Sequence, residues 1–63
     1  MRKIITKGNQ AVVIHQNADG GRVFASLYVN ARNGIDGADI TNINWAGWTV
    51  KGAERWAAKQ LGA

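Results

Sequence analysis

The sequence of 63 residues contains no cysteine and no proline, and it has only one histidine. Without cysteine, neither a disulfide framework nor a Cys/His zinc site can form. Many domains of fewer than roughly 70 to 80 residues rely on such supports or on a partner subunit, because their cores are small. We therefore expect one domain over residues 1–63 that depends on its own packing or on self-association.

Long apolar runs are also missing. The longest have four or five residues, whereas a membrane-spanning helix needs about 20. The start, Met1-Arg2-Lys3, leads into only two apolar residues, so no signal peptide is expected. The default expectation is a soluble protein of the cytoplasm that does not enter a membrane.

Side chains that could carry catalysis are few. His15 and Ser26 are the candidates for a base and a nucleophile, but the predicted sheet places them as diagonal neighbours about 7 to 8 Å apart, and no carboxylate is placed to orient the imidazole. The glycine-rich turns lack a Gly-Lys-Ser/Thr phosphate loop. Asp36 and Asp39 supply too few ligands for a metal ion. We predict a protein that is not an enzyme and has no cofactor and no metal.

Turn signals divide the first half of the chain into three predicted strands. Gly8-Asn9 separates residues 3–7 from residues 10–17, and Asp19-Gly20 separates the latter from residues 22–31. An Asp-Gly pair between β-rich segments favours a type I′ turn with positive φ at both central residues. In that register paired positions of the second and third strands sum to 39, so Ile14 lies opposite Ala25.

This register predicts two different sheet faces, because side chains alternate along a strand. The core face collects the aliphatic residues Ile5, Val12, Ile14, Val23, Ala25, Leu27 and Val29. The second face collects Ile4, Ala11, Val13, His15, Phe24, Ser26 and Tyr28. Charged residues typical of a solvated face are missing from this second set.

The rest of the chain predicts one more strand and one helix. Residues 40–45 are expected to form a short edge strand that ends in an Ala46-Gly47 bend, and Ile40 and Ile43 cannot both face the core without a bulge. Thr49 is the expected N-cap of a helix from Val50 to about Leu61. The predicted fold is α+β: an antiparallel β-meander of three or four strands with one C-terminal α-helix packed on one face.

A lone helix covers only one face of the sheet, so the second face is the first candidate binding surface. Its exposed apolar residues are predicted to bind another protein: Ile4, Val13, Phe24 and Tyr28. Contiguous exposed apolar surface marks an interface. Two alternatives stay open, namely a homodimer through this face and a loop from residues 30–47 that folds back over it.

The positively charged residues of the helix form a second candidate binding surface. Eight Lys and Arg against four Asp and Glu leave a net charge of +4, which favours anionic partners. Lys51, Arg55 and Lys59 share one side of the predicted helix and repel one another unless phosphates or an acidic surface neutralise them. Direct DNA binding through these three, aided by Arg2, Lys3 and Lys7, is the competing hypothesis.

The three tryptophans, Trp45, Trp48 and Trp56, bracket the junction of strand and helix. In a small core, Trp48 and Trp56 are expected to clamp the helix to the sheet. Trp45, on the uncertain fourth strand, is expected to lie on the surface.

In topology, the predicted three-stranded sheet with one C-terminal helix resembles the arm-binding domains of phage integrases, which read the major groove with the sheet. That resemblance implies Arg, Lys and polar side chains on the reading face, where this chain carries apolar ones. The length and the closing run Gly47-Trp48-Thr49-Val50-Lys51-Gly52-Ala53-Glu54-Arg55-Trp56-Ala57-Ala58-Lys59-Gln60-Leu61 look like small phage and mobile-element proteins. Some of these, the anti-CRISPR proteins among them, dock on host defence complexes. This second resemblance implies an inhibitor of a host nucleic-acid-handling complex that acts in the host cytoplasm.

Overall fold

The computed structural model describes residues 1–62 and shows an α+β fold of four strands followed by one helix. The strands are β1 (Arg2–Lys7), β2 (Gln10–Gln16), β3 (Val23–Val29) and β4 (Asp39–Gly47), and the helix is α1 (Val50–Gln60). Each strand pairs antiparallel with the next, in the order β1-β2-β3-β4. Within the described chain, the single helix has 11 residues, and no helix is long and apolar enough to cross a membrane.

The predicted register of the first three strands is confirmed. Ile5 pairs with Val12, and Ile14 pairs with Ala25. The type I′ turn was a wrong prediction, because among the described non-glycine residues only Asn30 has a positive φ. The ladder instead ends at Gln16 and Val23, and in the connection between them the Gly20 N–H donates to the Asn17 carbonyl at 3.0 Å. A longer connection with the same midpoint preserves the register.

The core lies between the sheet and α1. Its buried members come from β2, β3 and the helix: Val12, Ile14, Val23, Ala25, Leu27, Ala53, Ala57 and Leu61. The small side chains of Ala53 and Ala57, both fully buried, let the helix approach the sheet closely. Thr49 is the N-cap as predicted, and its hydroxyl accepts a hydrogen bond from the Gly52 N–H at 3.1 Å.

The fourth strand is longer than predicted and pairs irregularly with β3. The β3–β4 register shifts between Ser26 and Tyr28. Ile40 and Ile43 are 63% and 47% exposed, so neither belongs to the core. The expected Ala46-Gly47 bend was wrong, because both residues pair with β3 inside the strand and the chain bends at Trp48.

Two of the three tryptophan predictions were also wrong. Trp45 pairs with Ala25 on the core face and packs against the core together with Trp56, while Trp48 is 72% exposed and clamps nothing. A Cβ placed on Gly47 would come within 2.4 Å of the Trp45 ring, and one on Gly52 within 3.0 Å. Trp45 thus fits between strand and helix because both positions are glycine.

Candidate functional site

The face of the sheet opposite the helix, here called the open face, consists of three cross-strand rows. Strand pairing gives the rows Arg2–His15–Phe24–Ala46, Ile4–Val13–Ser26–Asn44 and Thr6–Ala11–Tyr28–Ile40. None of these twelve paired positions holds an acidic residue. The face is therefore a mixture of aliphatic, aromatic and polar side chains whose only full charge is positive.

The structure brings all four predicted protein-binding residues together on the open face. Ile4 and Phe24 are 42% and 44% exposed, and Val13 and Tyr28 are half-buried. The second half of the segment after β3 forms β4 and extends the sheet sideways. Its first half approaches the β1–β2 turn, where the Ala31 N–H donates to the Asn9 carbonyl at 2.7 Å, and Ala11 at that end of the face is fully buried. The exposed part of the open face is therefore the part around Ile4 and Phe24.

Sequence reasoning missed the two residues that flank Phe24. Arg22 directly precedes β3, and Trp48 directly follows β4, beyond the paired ends Val23 and Gly47. The Arg22 guanidinium carbon lies 5.1 Å from the centroid of the Trp48 ring and 6.0 Å from that of Phe24. The sequence could have identified Arg22. Side chains alternate along a strand, so Arg22 lies on the same side of β3 as Phe24.

His15 and Ser26 lie on the open face in neighbouring rows, as the register predicts. The His15 Nε2 atom is 3.2 Å from the Asn17 Oδ1 atom, and both side chains are exposed. In the described chain, no three His, Asp or Glu side chains are grouped so that they could hold a metal ion. His15 and Ser26 thus add hydrogen-bonding groups to the open face.

The helix cations form a second, separate surface. Lys51, Arg55 and Lys59 are all exposed on α1. Arg55 and Lys59 line a shallow cavity of about 470 Å³ on this side of the molecule. Its other lining residues are Trp45, Gly52, Trp56 and Ala58. This surface lies on the helix side of the molecule, away from the open face.

The three further cations near the N-terminus do not act as one group. The ammonium group of Lys3 forms an ion pair with Glu54 of the helix. That of Lys7 donates to the carbonyl of Gly62 at 3.3 Å, just beyond the helix end. Arg2 pairs with His15 and belongs to the open face. Lys3 and Lys7 therefore tie β1 to the helix, which is a structural role.

We compared the chain with models of known protein families, with curated proteins and with solved structures, and none of the three comparisons gave a match.

Proposed function

We propose that the protein is a non-enzymatic binding protein that docks its open face on a negatively charged macromolecular partner. The observation that carries this proposal is the exposure of Ile4 and Phe24, at 42% and 44%, on a face without an acidic residue among its paired positions. Exposed contiguous apolar surface is a feature of interaction sites. A face whose charge is all of one sign selects partners of the opposite sign.

Complexes that handle nucleic acid in the cytoplasm of a host cell are the class of target that fits best. They present phosphates and protein surface side by side, which suits a face that combines cations with apolar groups. The resemblance to small anti-defence proteins of phages and mobile elements supports the same class. In this proposal the protein inhibits by occupying a surface that the complex needs.

DNA binding through the helix is the second candidate, and the cavity beside α1 favours it. Arg55 and Lys59 lie at the rim next to Trp45 and Trp56, so cations and rings occur together there as well. Lys3 and Lys7 do not assist this surface, because their ammonium groups already contact Glu54 and Gly62. The helix surface therefore has three cations. The salt dependence of its affinity should be that expected for about three contacted phosphates.

Capture of nucleoprotein complexes on the immobilised protein separates the two candidates. A bacterial lysate is passed over wild type, over the open-face variant F24A/Y28A and over the helix variant K51A/R55A/K59A, each with and without nuclease. We expect the open-face variant to lose the captured complexes and the helix variant to keep them. The reverse pattern supports the helix surface, and equal capture by all three refutes the proposal. Circular dichroism of each variant checks that the fold is intact.

A homodimer through the open face would use the same residues and hide them. Sedimentation velocity at two protein concentrations tests this directly. We expect one sedimentation coefficient at both concentrations, as for a monomer with a free open face. A concentration-dependent increase that F24A/Y28A abolishes would instead show that the face binds a second copy of the chain.

A further inference from the structure

One end of the open face carries two exposed aromatic rings beside a cation. The Arg22 guanidinium lies close to both the Trp48 and the Phe24 ring, at 5.1 and 6.0 Å from their centroids. Trp48 is 72% exposed and Phe24 is 44% exposed, so part of each ring is open to solvent. Flat groups stack on such rings, and a guanidinium held over an aromatic ring stays free to contact an anion at its edge.

The open face repeats an aromatic ring farther along the same strand, with polar groups between. Phe24 and Tyr28 are four residues apart on β3, which places them about 13 Å apart at roughly 3.3 Å per residue. The row between them contains Ser26 paired with the exposed Asn44. A hydroxyl and a side-chain amide supply both donors and acceptors. Along β3 the face therefore offers a stacking site, a hydrogen-bonding site and a second stacking site.

The cations at this end of the face are available to an external anion. Arg2 lies in the same row as Phe24, and Arg22, two residues before Phe24, has its guanidinium carbon 6.0 Å from the centroid of that ring. The single ion pair of the described chain joins Lys3 and Glu54, so neither arginine is neutralised by a carboxylate of residues 1–62. The positive charge of the open face is thus concentrated beside its aromatic rings.

We propose that the open face binds single-stranded nucleic acid, with bases stacked on Phe24, Tyr28 and Trp48 and with phosphates in contact with Arg2 and Arg22. This inference rests on the proposed function and names the partner of that face. Unpaired bases expose flat surfaces that stack on aromatic side chains, and a single strand carries a phosphate at each step. A duplex offers only base edges in its grooves, so the rings of the open face would find no base surface there.

Fluorescence anisotropy with a labelled single-stranded DNA of 12 nucleotides and mixed sequence tests the inference. We expect wild type to bind the single strand more tightly than the duplex of the same sequence. An RNA strand of that sequence should bind about equally, because stacking and phosphate contacts do not read the 2′-hydroxyl. Phe24→Ala and Trp48→Ala should each weaken binding about 5- to 150-fold, the usual range for one stacked base.

Matched variants distinguish stacking from apolar contact. Phe24→Tyr keeps an aromatic ring and should keep wild-type affinity, whereas Phe24→Leu keeps an apolar side chain and should bind as weakly as Phe24→Ala. Ile43→Ala removes an exposed aliphatic group from β4 that lies outside the three rows of the open face, and it should change the affinity less than about twofold. A partner protein would instead tolerate Phe24→Leu and respond to Ile4→Ala.

Salt dependence counts the phosphate contacts. Two contacted phosphates on a single strand predict a slope of about −1.4 for log affinity against log salt concentration, and Arg22→Ala should reduce its magnitude by about 0.7. Equal binding of duplex and single strand, or loss of binding in K51A/R55A/K59A alone, would overturn the inference.

The inference and the proposed function fail in different ways. If wild type binds no oligonucleotide at low salt but captures a complex after nuclease treatment, and F24A/Y28A does not, the partner is a protein. In that case the nucleic-acid inference is wrong and the docking role of the open face stands. If F24A/Y28A both captures complexes and binds the oligonucleotide as wild type does, both are wrong.

Discussion

The two faces of the sheet are formed by the same strands, because successive side chains point to opposite sides. They differ in how far their side chains are buried. On the helix side, Ile14 and Val23 are fully buried under α1. On the open face, the neighbouring residues Phe24 and Ile4 keep more than two fifths of their surface exposed. One helix in a chain of this length supports one core, and the other face has no helix packed on it.

The two lysines of β1 and the arginine beside the open face also differ in their contacts. On the helix side, Lys3 and Lys7 make contacts within the chain, to Glu54 and to the Gly62 carbonyl. On the open face, Arg22 contacts aromatic rings and no carboxylate of the described chain lies within ion-pairing distance. Lys3 and Lys7 thus connect β1 to the helix and its end, whereas Arg22 is held beside aromatic rings without a carboxylate partner among residues 1–62. In our proposal, this second arrangement serves an anionic partner.

The two faces should differ most in how much stability is lost when an isoleucine side chain is truncated. Ile14→Ala leaves a cavity in the core and should lower the free energy of unfolding by about 2 to 5 kcal/mol. Ile4→Ala, on the adjacent strand but 42% exposed, should lower it by less than about 1 kcal/mol. Urea denaturation followed by circular dichroism measures both. Similar losses in the two variants would contradict the assignment of the faces.

The next largest effect should come from the close packing of Trp45. Gly47→Ala places a Cβ within 2.4 Å of its ring and should destabilise the protein by about 1 to 3 kcal/mol, as overpacked cores do. In a Trp45→Leu background the same change should cost much less, because the ring that it would contact is gone. A double-mutant cycle by thermal denaturation measures this coupling. Additive effects would show that Trp45 does not occupy the space over Gly47.

A smaller effect is expected at the start of the helix. Thr49→Ala removes the hydroxyl that accepts from the Gly52 N–H and should cost about 1 kcal/mol. Thr49→Ser keeps the hydroxyl and serves as the matched control. It should lower the free energy of unfolding by at most a few tenths of a kcal/mol. If both variants lose equal stability in urea denaturation, the cap does not contribute through its hydroxyl.

The smallest effect should come from the ion pair between β1 and the helix. The Lys3 and Glu54 side chains are 48% and 37% exposed, so their interaction is screened by solvent and is worth at most about 1 kcal/mol. The coupling from a double-mutant cycle of Lys3→Ala and Glu54→Ala should decrease as salt is added. Coupling that is unchanged at high salt would contradict a solvent-screened pair.

The register and the division of residues between the faces could be predicted from the sequence, and the reason is local. Alternation of apolar residues on both sides of Asp19-Gly20 fixes which residues share a face, even though the connection adopts a different turn. The helix was predictable because Thr49 and the spacing of Ala53 and Ala57 give its start and its buried side.

The fourth strand and the tryptophans could not be predicted in the same way. A bulge changes which alternate residues face the core, and no local pattern places the register shift opposite Leu27. Trp45 packs inward because Gly47 and Gly52 leave space for its ring, which depends on a contact between strand and helix. Trp48 was expected to clamp the helix to the sheet, but the chain bends there and leaves it exposed.

We propose that the partner binds the open face and not the helix surface, and the three indole N–H signals test this proposal most directly. Trp48 lies beside the open face, whereas Trp45 and Trp56 line the cavity next to Arg55 and Lys59. In a ¹⁵N correlation spectrum, with signals assigned from single Trp→Phe variants, titration with the single-stranded oligonucleotide should shift the Trp48 indole signal and leave the other two in place. Shifts of the Trp45 and Trp56 signals with an unmoved Trp48 signal would contradict the proposal.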